Sequence, residues 1–338
     1  MLKLLNNPKS DNTRNILNAD LFVSNLKNTL KAFGFNPRVE YKVCRSITVY
    51  HITWNDDKDY DDIVKLKKEI ALSLGIRENE LILDKISENE VSIKVTNMKI
   101  EPLCLKEVLS DYKKSNDFSI VLGMDEYDKL VTFDFDKEKS LLVTGVSGTG
   151  KTNLFNNIIM NILINYSDVK IIILDSQSIN YNLYSNVCEV INKEEDIIIK
   201  INLLRREFED RVKNNVRDKI VVFIDEIYEI LKLDTSVKDD INYLLEVGSA
   251  MGIYLVVSTD SVLEDDIYDL FNKDNVSKVS FYLTSRGEYN MFLGRAIREN
   301  LGRDVMYLDN DKNLIRMSIP IICDDEIERV VKYIEEDK

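Results

Sequence analysis

Two rhythms of apolar and polar positions run along this chain, and the change between them falls near residue 118. From Asp20, "LFVSNLKNTLKAFGF" repeats at helical spacing, with Leu21, Phe22, Leu26, Leu30 and Phe33 on one face and Gly34 as the stop. "VEYKVCRSITVYHITW" then reads as strand. "DIVKLKKEIALSLG" returns to a helical repeat at Ile63, Leu66, Ile70 and Leu74, and "ELILDKI" and "EVSIKVT" are strand-like again. These elements predict a small α/β domain over residues 20–118, behind a polar, loosely ordered leader over 1–19.

Beyond that point short β-branched runs take turns with helical stretches. "SLLVTG" precedes "KTNLFNNIIMNILINY", and "VKIIILD" precedes a long helix around "INLLRREFEDRVKN". "KIVVFIDE", a helix near "VKDDINYLLEVGSAM", "IYLVVST" and "KVSFYLT" follow. Such alternation marks a mainly parallel sheet with helices on both faces. The sequence therefore predicts a doubly wound α/β core over residues 119–338, closing on the acidic helix "DDEIERVVKYIEEDK".

Composition narrows the class without naming a function. A hydrophobic content of 44% with 31% charged residues belongs to folded chains. The longest apolar runs, such as "KIVVFI" and "KIIIL", are far too short for a bilayer, and "MLKLLNNPKSDN" lacks the features of a signal peptide. A cytoplasmic protein without direct membrane insertion is expected, and the sequence names no recruiting partner. Cys44, Cys104, Cys188 and Cys323 stand far apart with no CxxC pair, which reads as four buried reduced thiols. His51 is the only histidine, and its place in "SITVYHITW" makes it a strand residue rather than a zinc ligand or triad base. The net charge of −14 is uneven: residues 1–118 carry +1 and residues 119–338 the remaining −15. An acidic surface opposes indiscriminate nucleic-acid binding but leaves room for DNA in a local basic groove or the lumen of a ring.

The chemistry sits in "SLLVTGVSGTGKTNLF". Gly145, Val146, Ser147, Gly148, Thr149, Gly150, Lys151 and Thr152 fit GxxxxGK[ST], with a strand before and an amphipathic helix after. Such a turn points backbone N–H groups inward around phosphates, and the helix N-terminus adds the positive end of its dipole. Lys151 is expected to reach the β- and γ-phosphates of ATP, and the Thr152 hydroxyl to ligate Mg²⁺. "KIVVFIDE" ends a buried strand in Asp225 and Glu226. Asp225 is placed to hold Mg²⁺ through water and Glu226 to polarise the attacking water, although a helix N-cap would use the same residues. "LVVSTDS" ends another central strand, bringing Ser258, Thr259 and Asp260 to the γ-phosphate. Thr259 is the expected sensor, whereas Asp260 would repel a phosphate unless turned away or bridged through the metal. "LLRREFEDR" offers Arg205, Arg206 and Arg211. Pairing with Glu207, Glu209 and Asp210 accounts for at least two of them, and Arg205 and Arg206 are candidates for a finger reaching a neighbouring subunit's nucleotide.

In this order the residues resemble the motor region of FtsK/SpoIIIE-type DNA translocases, over roughly residues 20–335. "NLKNTLKAFGFNPRVEYKVCRSITVYHITW" is similar to that family's opening helix, Phe-Gly turn and strands. "CLKEVLSDYKKSNDFSIVLGMDEYDKLVTFDF" is similar to its segment before the P-loop, with the Leu-Gly turn at Leu122-Gly123. "IIILDSQSINYNLY", "LLRREFEDR", "VVFIDEIYEIL", "SAMGIYLVVSTD" and "LGRDVMYL" follow in family order. The resemblance implies a RecA-like P-loop NTPase core and a homo-oligomer, a hexameric ring around double-stranded DNA. ATP and Mg²⁺ would bind between subunits, and hydrolysis would move the DNA. By position it assigns Gly145 to Thr152 to the nucleotide, Asp225 and Glu226 to magnesium and water, and Thr259 to the sensor strand.

The departures bear on the substrate. The family's Asp-Pro-Lys is Asp175-Ser176-Gln177 here, and its Thr-Gln-Arg is Thr259-Asp260-Ser261. The stretch between "LLRREFEDR" and "KIVVFIDE" is shorter, and the membrane segments and winged-helix module have no counterpart in the sequence. Two other readings stay open: a coupling ATPase for conjugation or secretion, and a nucleotide-gated assembly module with little translocation.

Overall fold

A computed structural model describes residues 1–7, 13–97, 100–114, 117–177, 181–273, 276–297 and 301–336. The chain divides into two compact units: Lys9–Pro102 with Glu126–Lys129, and Met1–Pro8 with Leu103–Asp125 and Leu130–Lys338.

The smaller unit runs α1 (Thr13–Ala32), β1 (Pro37–Val43), β2 (Ile47–Trp54), α2 (Tyr60–Lys65), α3 (Lys67–Leu74), β3 (Ile82–Ser87) and β4 (Glu90–Thr96). Its strands form an antiparallel sheet in the order β1-β2-β4-β3. Val39, Tyr50, Ile52 and Trp54 enter one core with Leu26 and Leu30 of α1, while His51 faces outward. The buried face of α1 differs from the expected one. Ala19, Leu26 and Leu30 are buried with Phe22 packed beside them, whereas Leu21 is exposed, standing roughly 140° around the helix from Leu26. Phe33 is exposed too, past the last helical residue. The single helix expected through Leu66 is two, because Leu66 leaves helical geometry at ψ 6°. Ile63, Ile70 and Leu74 are buried all the same.

The larger unit continues with α4 (Leu105–Asp111), β5 (Ser119–Asp125), β6 (Leu130–Asp134), α5 (Phe135–Glu138), β7 (Leu141–Thr144), α6 (Lys151–Asn165), β8 (Lys170–Asp175) and β9 (Glu189–Ile191). Then come α7 (Glu194–Asn214), β10 (Ile220–Asp225), α8 (Ile227–Leu233), α9 (Val237–Val247), β11 (Ile253–Thr259) and α10 (Asp265–Phe271). β12 (Ser277–Ser280), α11 (Arg286–Leu293), β13 (Val305–Leu308), β14 (Leu314–Ser318) and α12 (Asp324–Glu336) complete it. Ten strands make one mixed sheet, β6-β5-β14-β13-β12-β7-β11-β10-β8-β9. From β12 to β9 all pairings are parallel, and from β12 to β6 all are antiparallel. The parallel strands are apolar without alternation because both faces are covered. One core joins them to α6 and α12, the other to α7, α8 and α9. This is the RecA-like α/β fold expected, widened by four antiparallel strands.

Two boundaries differ from expectation. The cut between units falls at 102/103 rather than 118/119, because α4 and β5 lay Leu105, Val108, Leu109 and Ile120 into the larger core. The leader is also held at its start. Leu5 is buried in that core, Asn6 N–H donates to Glu326 Oε1 (2.8 Å), and Arg329 Nε donates to the Leu4 carbonyl (2.8 Å). Residues 8–12 of the leader lie outside the described residues, and residues 13–19 belong to α1. Cys44 and Cys188 are buried as expected, but Cys104 is half-buried and Cys323 exposed. Among the described residues no helix is long and apolar enough to cross a membrane.

Candidate nucleotide-binding site

The glycine-rich loop leaves β7 at Gly145 and enters α6 at Lys151, between the ends of β11 and β12. β12 supplies its floor. Phe281 N–H donates to the Thr144 carbonyl (2.8 Å), and Val146 N–H donates to the Tyr282 carbonyl (3.0 Å). A Cβ on Gly145 would stand 2.4 Å from Phe281 Cβ, and one on Gly150 would stand 3.2 Å from the Phe281 ring. Gly150 has φ +115° besides, so both space and backbone geometry require glycine there. The Thr149 hydroxyl closes the turn by donating to the Val146 carbonyl (2.6 Å). Ser147 and Gly148 are exposed at the rim, and Thr152 is half-buried in the first turn of α6.

Lys151 is buried, with its ammonium donating to the Gly145 carbonyl (2.8 Å) and paired with the Asp260 carboxylate. Across from it, β10 ends in Asp225 and the adjacent, parallel β11 ends in Thr259. Ser258 joins the two strand ends: its hydroxyl donates to Asp225 Oδ1 (2.5 Å) and accepts from Glu226 N–H (3.0 Å). The Tyr181 hydroxyl donates to Asp225 Oδ2 (3.0 Å). Burial pushes the Asp225 carboxyl up; the bonds from Ser258 and Tyr181 oppose this, and Asp175, its register partner on β8, adds to it. Glu226 sits in the left-handed region at φ +54°, an uncommon place for a side chain of its size. That turn aims its Oε1 at the Asp260 N–H (3.0 Å) and the Thr259 hydroxyl (3.3 Å). Burial pushes the Glu226 carboxyl up to about 7, against the hydrogen bond from Asp260 N–H. A carboxyl titrating near neutrality is suited to taking a proton from water at physiological pH.

The structure thus gathers Lys151, Asp225, Glu226, Thr259 and Asp260 at one end of the sheet. Of the arginines of α7, Arg205 stands against α9. Arg205 stacks on the Tyr243 ring at 3.1 Å and pairs with Glu209 (3.6 Å) and Asp240 (3.9 Å). Arg211 is buried, bound to Glu207 (3.0 Å) and to the Met251 carbonyl (2.8 Å). Arg206 is exposed. Two residues escaped the sequence reading. Tyr181, fully buried, carries no signal beyond standing six positions after Asp175, and Phe281 was legible only as a strand residue.

The FtsK/SpoIIIE family profile matches residues 106–328. Among curated relatives, the DNA translocase FtsK of Staphylococcus aureus (strain Mu50) is 26% identical over 374 residues, covering 99% of this chain and 48% of that protein. The DNA translocase FtsK of Clostridium tetani is 25% identical over 380 residues, covering 99% of this chain and 50% of that protein. The chain therefore spans about half the length of the curated relatives it matches. Among solved structures, the pCW3 conjugation coupling protein TcpA, a monomer form with ATPγS, superposes with a TM-score of 0.59 at 15% identity, covering 94% of this chain and 99% of that one. The cytoplasmic domain of the type VII secretion ATPase EccC from Thermomonospora curvata gives 0.57 at 13% identity, covering 69% and 34%. These two likenesses concern the fold. The profile match spans more than half of the chain, and the chain belongs to the FtsK/SpoIIIE family.

Proposed function

We propose that this chain is an ATP-driven motor that moves double-stranded DNA as a homo-oligomeric ring, with the P-loop as its nucleotide site. The observation that carries the reading is the meeting of Lys151, Asp225, Glu226 and Thr259 around a glycine cradle in a chain of this family. The donor set fits Mg²⁺–ATP: the N-terminus of α6, a buried ammonium, the Thr152 hydroxyl and the Asp225 carboxylate. Bound Mg²⁺ would neutralise charge on the β- and γ-oxygens. Lys151 would hold the same oxygens, Tyr181 and Ser258 would orient Asp225, and Glu226 would take a proton from the water attacking the γ-phosphorus as the bond to the ADP oxygen breaks. Thr259, tied to Glu226, would sense the γ-phosphate. Arg205 is committed to Tyr243 and Asp240, which leaves the exposed Arg206 as the better finger toward a neighbouring subunit.

The test is ATP turnover by the full chain with and without duplex DNA across a salt series. Duplex DNA should stimulate turnover several-fold at low salt, with the stimulation fading as salt rises, because phosphate contacts release counterions. Glu226→Gln should retain ATP binding and lose turnover. Turnover indifferent to DNA at every salt would overturn the DNA reading. It would favour a nucleotide-gated assembly module with little translocation, the reading to which the −15 charge of residues 119–338 and the loss of the family's glutamine and arginine after Thr259 lend weight.

A further inference from the structure

Four carboxylates stand at the ends of three adjacent strands: Asp175 ends β8, Asp225 ends β10 with Glu226 next to it, and Asp260 follows β11. Lys151 faces this group, and Asp260 engages both sides of the site at once. Its backbone N–H donates to Glu226 Oε1 (3.0 Å), while its carboxylate takes the Lys151 ammonium. Lys151 is 8% exposed and Asp260 39%, so the anion is the partner with room to move. The backbone bond to Glu226 does not depend on where the Asp260 side chain points.

An entering triphosphate needs that same ammonium. Displacing Asp260 leaves a carboxylate facing the phosphate oxygens in a site that already holds Asp225 and Glu226, and like charges at this range repel strongly. A divalent cation on the triphosphate reverses the sign of that contact, because a carboxylate beside a metal's oxygen shell is attractive. We propose that Asp260 is a specificity-determining residue that closes the empty site by holding Lys151 and selects metal-loaded nucleoside triphosphate against the metal-free form. The inference rests on the nucleotide-site reading above. It concerns a position where the chain departs from the uncharged glutamine of the family pattern.

The test measures ATPγS binding to the full chain by calorimetry, in Mg²⁺ and in EDTA, for the native protein, Asp260→Asn and Asp260→Glu. Asp260→Asn should tighten metal-free ATPγS binding by about tenfold or more and Mg²⁺-loaded binding by much less, narrowing the ratio between the two. Asp260→Glu, which keeps the charge, should keep the native ratio. An equal gain in both buffers, or no change in either, overturns the inference while leaving the nucleotide site standing. Native protein that binds no ATPγS in Mg²⁺ removes the nucleotide reading itself, and the inference with it.

Discussion

At the scale of single residues, Glu226 concentrates the site's chemistry and its cost. It is buried, it sits in left-handed backbone geometry, and its carboxyl titrates at about 7 where an ordinary glutamate titrates at 4.5. The folded state holds this proton until near neutrality, while the unfolded chain loses it near 4.5. Glu226 therefore favours folding fully at low pH, and its contribution is lost as pH rises through 7. Glu226→Gln keeps the neutral form at every pH. In metal-free buffer it should raise Tm by a few degrees at pH 8 and by far less at pH 5, read by thermal melts of the two proteins side by side. Equal shifts at both pH values would show that the carboxyl does not titrate where its burial places it. The phosphate loop was legible in the sequence from its spacing, and the acidic pair from its place at the end of an unbroken apolar run, where a helix N-cap was the competing reading. The role of Asp260 was legible only as a conflict. Its resolution, an ion pair with Lys151, joins the start of α6 to the end of β11, 109 positions apart in the chain.

At the scale of elements, the informative case is α6. Its apolar positions predict an amphipathic helix, yet Asn157 and Asn161 are fully buried. They stitch the helix to β5, whose register shifts between Val121 and Gly123 and leaves backbone groups to satisfy. Asn157 Nδ2 donates to the Leu122 carbonyl (2.8 Å), Asn161 Oδ1 accepts from Val121 N–H (3.2 Å), and the two side chains bond each other (2.8 Å). Binary patterning cannot reveal this, because the partner each asparagine finds outside the helix is the main chain of a bulged strand. Asn157→Leu would strand the Leu122 carbonyl in the core, at about 1–3 kcal/mol, while the Asn161 amide keeps its bond to the Asn157 main-chain carbonyl (2.9 Å). The expected loss in a urea titration followed by circular dichroism is therefore about 1–3 kcal/mol. Asn165→Ala, one turn further along and half-buried, should stay within about 1 kcal/mol. A neutral Asn157→Leu would mean that β5 relaxes to pair elsewhere. The parallel strands were read correctly because each is an unbroken apolar run. β5, β6, β13 and β14 were not read as sheet extensions, because their order in the sheet is set by long-range pairing such as Ser318 with Met124.

At the scale of the whole molecule, the change of rhythm near residue 118 announced two bodies, and packing moved the cut to 102/103 because α4 carries its apolar face into the larger core. Each unit has a hydrophobic core of its own, and the nucleotide site lies entirely in the larger. The chain's single tryptophan makes that division measurable. Trp54 is 2% exposed in the smaller unit, edge-on to Phe35 at 5.6 Å, with its indole N–H donating to the Lys58 carbonyl (2.8 Å). Its fluorescence reports the smaller core, whereas far-ultraviolet dichroism is dominated by the ten-stranded sheet and its helices. A ligand that binds one folded unit stabilises that unit by mass action, by about 2.7 kcal/mol at a concentration one hundred times its Kd. With units that unfold separately, Mg²⁺–ATPγS should move the dichroism midpoint in urea upward and leave the Trp54 transition where it was. If the two midpoints instead rise together by the same amount, the cores unfold as one body, and nucleotide binding at the loop is felt energetically by the smaller core as well.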